Sequence, residues 1–182
     1  MLQITVPGTE LYDEVNNEFI TIKGQTLTLE HSLVSISKWE SKWCKPFLSK
    51  GGLTTEETID YIRCMTLTQN VDPIVYTNIT DANIKAVEEY INAPMTATWF
   101  NEELKKGKKG SNEIVTSELI YYWMIALNIP MECQKWHLNR LITLVKVCNI
   151  KNEPPKKMGK RATMSRNMAL NMARRKQLNS NG

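Results

Sequence analysis

Ser117-Glu118-Leu119-Ile120-Tyr121-Tyr122-Trp123-Met124-Ile125-Ala126-Leu127 is the stretch on which the fold class turns. Thr116 or Ser117 offers a side-chain acceptor to the free N–H groups of a first helical turn, and Glu118 meets the partial positive charge there. Apolar residues then run without interruption from Leu119 to Leu127. A helix apolar nearly all round is a buried one, so this segment is predicted to be the central helix of the core. Asn128-Ile129-Pro130 reads as a short turn, with Pro130 at the start of the next helix, where a missing N–H costs little. Leu138, Leu141, Ile142, Val145 and Cys148 recur at helical spacing, while Lys135, Asn139, Arg140 and Lys146 fall off that stripe. The expectation is a central helical hairpin.

Upstream, the pattern changes from helix to strand and back. Leu2-Gln3-Ile4-Thr5-Val6 alternates, and Pro7-Gly8 ends it. Phe19-Ile20-Thr21-Ile22 and Thr26-Leu27-Thr28-Leu29 are two more β-branched runs around Lys23-Gly24-Gln25, which reads as a tight hairpin at Gly24 in a small three-stranded sheet. Such a sheet needs a cover over its apolar face. Ser32 caps a helix carrying Leu33, Ile36, Trp39 and Trp43. Thr54 or Thr55 caps one with Ile59, Ile62 and Met65, and Thr80 caps one with Ile84, Val87 and Ile91. The four lysines and two glycines of residues 104–112 read as an exposed loop open to nicking. The predicted fold class is therefore α+β: a small N-terminal antiparallel β-hairpin or sheet packed on a mainly α-helical body. The body spans residues 1–150 as one globular domain.

Charge divides the chain at the same boundary. Residues 151–182 carry Lys151, Lys156, Lys157, Lys160, Arg161, Arg166, Arg174, Arg175 and Lys176 against the single acid Glu153. That leaves the arm at +8 and, from a whole-chain charge of +4, the body at −4. Glu153-Pro154-Pro155 stops the preceding helix. Arg161 to Leu178 then has good helix formers but a thin stripe of Met164, Met168 and Met172. The arm is predicted to be partly helical or disordered alone, ordering on a partner. Three readings fit it: phosphate contact on nucleic acid, recognition of an acidic or amphipathic protein, and a solubilising tail. No aromatic residue lies beyond Trp136, so the arm offers bases no stacking platform.

Chemistry-bearing patterns are sparse. Cys133 and His137 are four apart, and on a helix they would share a face. That is half of a metal site, for which His31 and Cys148 are the candidate completing ligands. The simpler reading is a polar histidine near the hairpin turn, and no metal or cofactor is expected. No nucleophile elbow or glycine-rich phosphate loop occurs in the sequence. Glu56-Glu57, Glu88-Glu89 and Glu102-Glu103 read as solvated helix faces rather than general acid/base pairs. The four cysteines form no C-x-x-C pair and read as reduced thiols. Met1-Leu2-Gln3-Ile4 lacks a signal-peptide pattern, and the apolar run from Leu119 is far short of the ~20 residues that span a bilayer. A cytosolic, non-enzymatic protein is the expectation. Tyr121, Tyr122 and Trp123 are core by default, but Tyr121 or Tyr122 with Trp136 at the facing turn could instead form a protein-binding patch.

The run from Ile120 to Leu141, with Tyr121-Tyr122-Trp123-Met124 and Gln134-Lys135-Trp136-His137, resembles small proteins of tailed-bacteriophage structural gene clusters. Leu29 to Glu40, Asp60 to Thr66 and Pro154-Pro155-Lys156-Lys157-Met158 resemble the same family, the tail assembly chaperones. The resemblance implies a non-enzymatic protein of the host bacterial cytoplasm, absent from the mature virion. It would bind the long helical tape measure protein, and in some settings the tail tube protein, while the tube polymerises. It also implies a short form that a frameshift can extend. Two other classes stay open: a virion structural or connector protein, and a nucleic-acid-associated phage protein acting through the basic arm.

Overall fold

In a computed structural model of the chain, residues 1–13, 17–49, 51–98, 100, 114–152 and 160–178 are described. They fall into two compact units, Met1–Asn149 and Ile150–Gly182. The mixed α+β class stands.

The first unit opens with strands β1 (Leu2–Val6), β2 (Thr9–Asp13), β3 (Glu18–Ile22) and β4 (Gln25–Leu29). β1 pairs with β4 from Leu2↔Leu29 to Val6↔Gln25, and β2 pairs with β3 from Thr9↔Ile22 to Asp13↔Glu18. The two ladders share one register, because each pair of partner numbers has the same sum. They are therefore the two halves of one long antiparallel ribbon, interrupted where Pro7-Gly8 faces Lys23-Gly24. All three expected strands form, but they are not joined by a tight hairpin at Gly24 into one three-stranded sheet: β1 pairs with β4, and β3 pairs with an additional strand, β2. The pairing of β2 with β3 runs as far as Asp13↔Glu18, and β2 is a strand that the sequence pattern does not announce. Gly24 marks a close crossing instead of a turn: a Cβ there would lie 3.0 Å from the backbone nitrogen of Gly8 and 3.2 Å from the Val6 carbonyl oxygen. Backbone atoms cannot rotate aside, so Gly24→Ala is expected to lower stability by about 1 kcal/mol through strain. An unchanged urea midpoint would contradict this.

The described side chains of the two halves of the ribbon differ in burial. Ile4, Val6, Leu27 and Leu29 are buried, whereas Glu10, Tyr12, Glu18, Phe19 and Thr21 are exposed. Tyr12 and Phe19 face each other across the strands with ring centroids 5.1 Å apart.

Helices α1 (Leu33–Trp43), α2 (Thr55–Met65), α3 (Asp81–Asn92), α4 (Ser117–Ala126) and α5 (Leu138–Asn152) follow, with 3₁₀ turns at Pro73–Asn78 and Met131–Lys135. Their starts obey the capping chemistry. Ser32 and Thr54 each close a reciprocal capping box, with Ser35 and Glu57 respectively, and Thr80 and Thr116 accept from the N–H groups of Asn83 and Leu119. α1 is the hub, packing against both α2 and α4, while α3 lies on β1. Leu33, Ile36 and Trp39 of α1 meet Tyr61, Ile62 and Met65 of α2 and Ile120 and Met124 of α4 in one core.

Two details of the predicted helical hairpin change. Pro130 does not open the second helix: the Met131–Lys135 turn intervenes and α5 begins at Leu138. α4 is not buried all round either. Ser117, Ile120 and Met124 face the core, whereas Tyr122 is 63% and Ile125 is 67% exposed. Among the described residues α4 is buried along the side that meets α1.

In the second unit, α6 (Lys160–Leu178) is a helix. Residues 104–112, with the predicted nicking loop, and the Pro154-Pro155-Lys156-Lys157 segment lie outside the described residues. Among the described residues, no helix is long and apolar enough to cross a membrane.

Candidate functional site

The three aromatic residues singled out from sequence are separated by their surroundings. Tyr122 points outward and shares its face of α4 with Ile125, three residues on. Tyr121 is half-buried, and its hydroxyl donates to Gln134 Oε1 at 2.9 Å, fastening α4 to the Met131–Lys135 turn. Burial pushes its phenol pKa up. Trp136 is half-buried beneath the Arg140 guanidinium, which stacks 4.2 Å from the ring centroid. The outward apolar surface is thus Tyr122 with Ile125, a residue that sequence reasoning assigned to the core. Tyr121 and Trp136 are instead partly buried against the core.

In α6 the methionine row stands in solvent: Met164, Met168 and Met172 are 75%, 68% and 65% exposed. Arg174 and Arg175 are exposed beside the row's C-terminal end. Lys160, Arg161, Arg166 and Lys176 lie within the same helix. Lys156 and Lys157 lie outside the described residues.

The half-site of Cys133 and His137 does not form. Cys133 belongs to the 3₁₀ turn and His137 precedes α5, so no common helix brings them to one face. Among the described residues no group of three or more His, Cys, Asp or Glu side chains converges as a metal site requires. Burial raises the pKa of both the Cys133 and the Cys64 thiol, which keeps them protonated.

What His137 meets is His31, with ring centroids 5.1 Å apart. Backbone pairing between Ser32 and His137, and a bond from Leu138 N–H to the His31 carbonyl at 2.8 Å, bring the end of the ribbon against the start of α5. His31 Nδ1 lies 2.5 Å from the Tyr61 hydroxyl. His137 Nε2 donates to the Tyr90 carbonyl at 3.0 Å and its Nδ1 accepts from Asn139 N–H at 3.3 Å, a set only the neutral ring satisfies. Tyr90 in turn donates to Glu30 Oε1 at 2.8 Å, and the Met1 ammonium lies 3.1 Å from Glu30 Oε2. Burial and then the neighbouring His137 push the His31 pKa down to about 3. Burial also lowers that of His137, against the opposing pull of the Tyr90 carbonyl and Glu30. The pair is a neutral, hydrogen-bonded part of the core. With rings this close and dry, one proton on either disfavours a second.

A surface cleft of about 260 Å³ lies between α1, α2 and the Pro73–Asn78 turn, walled by Trp43, Ile59, Pro73 and Tyr76 with Lys42 and Arg63 on its rim. Asp60 at its floor accepts from Trp43 Nε1 at 2.8 Å and pairs with Lys42. Burial works to raise its pKa, but the bonds from Lys42 and Trp43 outweigh it and hold the carboxyl below its ordinary value. Both carboxylate oxygens are thereby engaged. These three elements are distant in sequence, so no local pattern could have announced the cleft.

No protein-family model, curated protein or solved structure matches this chain.

Proposed function

We propose that the protein is a non-enzymatic assembly chaperone that holds an apolar helical client, and that its client is a phage tape measure protein. The observation that carries the binding role is the outward face of α4, where Tyr122 and Ile125 stand in solvent at helical spacing on a helix anchored in the core. An aromatic and a β-branched side chain side by side suit an amphipathic helix laid across them. The identity of the client rests on the sequence resemblance to tail assembly chaperones, as do the host cytoplasm as its location and its absence from the virion. The tail tube protein is a second client on the same ground.

The test is co-expression with the long helical protein encoded next downstream, followed by co-purification at low salt and at about 0.5 M salt, where surface charge is screened within a few ångströms. Soluble client that stays bound at both salts supports the α4 face. The double variant Tyr122→Ser, Ile125→Ser is expected to keep its urea midpoint, since both residues are exposed, and to lose at least tenfold in client affinity. A client indifferent to this chain, with nucleic acid co-purifying instead, would replace the chaperone by a phosphate-binding role for the arm. Recovery of the chain in washed particles would replace it by a virion structural role.

A further inference from the structure

Among the described side chains of the distal half of the ribbon, Glu10, Tyr12, Glu18, Phe19 and Thr21 are all exposed. A lone two-stranded ribbon is marginal in water, and both of its long edges carry unpaired backbone groups. Residues 9–22 contain four acids, Glu10, Asp13, Glu14 and Glu18, and no Lys or Arg. At their centre stand exposed Tyr12, at 50%, and Phe19, at 71%. Glu10 shares the face of Tyr12 and Phe19, and exposed Glu18 lies beside Phe19 on the opposite face, so the aromatic pair stands on an acidic strand pair. Pairing with a second ribbon of the same kind would set like charges together, which disfavours edge-to-edge addition between copies.

The second unit carries the complement. Residues 160–178 hold six basic residues, Lys160, Arg161, Arg166, Arg174, Arg175 and Lys176, and no acid. Met164, Met168 and Met172 stand exposed along one side of that helix, and Arg175 follows Met172 by three residues, on the same side. Thioether sulfur against aromatic rings is a favourable and adaptable contact, and the flanking charges are opposite in sign. We propose that the distal ribbon of one copy is the docking surface for α6 of a second copy, so that the chain self-associates through charge-steered contacts of methionine on Tyr12 and Phe19. The contact is independent of the α4 face. Its failure would leave the chaperone reading standing, and the reverse also holds.

Sedimentation velocity of the full chain tests this. The wild type is expected to associate at low salt and to become monomeric near 0.5 M salt, because the steering charges are exposed. Two charge-reversal variants are then compared, Glu10→Lys with Glu18→Lys on the ribbon, and Arg174→Glu with Arg175→Glu on α6. All four side chains are exposed, so both variants are expected to keep the wild-type circular dichroism and urea midpoint. Each alone is expected to be at least tenfold weaker in self-association. Mixed, they are expected to form a complex, because the first retains a basic α6 and the second an acidic ribbon. A wild type that stays monomeric at low salt would overturn the proposal. So would association that survives either reversal, or a mixture that fails to restore it.

Discussion

Glu40→Ala is expected to lower the unfolding free energy by about 3 kcal/mol, a large share of the 5–15 kcal/mol that holds a domain together. Glu40 lies on α1, is 7% exposed, and grips two backbone amides from different parts of the chain. Its Oε1 accepts from Phe47 N–H at 2.8 Å, and its Oε2 accepts from Ser117 N–H at 2.7 Å. Ser117 is the first residue of α4, so the carboxylate satisfies one of that helix's orphan donors and faces the positive end of its dipole. Phe47 is held where its ring packs 5.2 Å from Trp39 and 4.1 Å from Tyr61. Each charge-assisted bond contributes about 1.5–3 kcal/mol, and the alanine variant leaves the buried Ser117 N–H and the partly buried Phe47 N–H without that acceptor. Relief of the carboxylate's desolvation offsets part of the sum, which is why the expectation is about 3 kcal/mol and not the full total. Glu40→Gln keeps one carbonyl oxygen but turns an N–H₂ toward the other donor, so its urea midpoint should fall between those of the wild type and the alanine variant. A loss below about 1 kcal/mol for the alanine variant, at unchanged denaturant slope, would show that water replaces the clamp.

Nothing near Glu40 in the sequence marks it as this clamp, and that contrast shows what local pattern carries. Helix starts were legible because capping is chemistry within four residues: Ser32, Thr54, Thr80 and Thr116 all cap as their side chains allow. The core stripe of α5 was legible from Leu138, Leu141 and Val145. The ribbon was half legible. Alternation in Leu2–Val6 and Gln25–Leu29 is sharp because those strands are covered on one face, while Thr9–Asp13 has little apolar alternation to read, and its Glu10 and Tyr12 are exposed. Gly24 misled for a related reason: glycine signals both turns and close backbone crossings, and only the register separates the two.

The candidate site was less legible still. The methionine row of α6 could be read directly, since exposure follows from a thin apolar stripe on a basic helix. α4 could not be read in the same way. Continuous hydrophobicity conceals which side faces the core, and Tyr122 and Ile125 look no different from Ile120 and Met124 until α1 is in place. The meeting of His31 with His137 depends on backbone pairing between residues 105 positions apart in the chain.

That meeting supplies the second large effect, a loss of stability in mild acid. An unfolded histidine takes up a proton near pH 6.5, whereas buried His31 does so only near pH 3. Between these values the unfolded chain binds a proton that the folded chain excludes, so stability falls as pH falls through this window and is fully present above it. At the limiting slope of about 1.4 kcal/mol per pH unit, His31 alone accounts for about 2 kcal/mol of loss at pH 5, rising to about 4 kcal/mol near pH 3 where the folded ring begins to protonate too. His137 is shifted the same way and adds to the loss. Glu57 and Asp60, whose folded pKa values lie below their ordinary 4.5 and 3.8, also cost stability on acidification, but mainly below pH 5. The interval from pH 7 to pH 5 therefore isolates the histidines. Urea midpoints across it should fall steeply for the wild type. His31→Gln, which keeps a polar partner for Tyr61 but has no proton to gain, should start lower at pH 7 and fall much less between pH 7 and pH 5. A wild-type midpoint that stays level over the interval would mean that His31 titrates as freely in the folded chain as in the unfolded one, and that the ribbon's seal against α5 admits water.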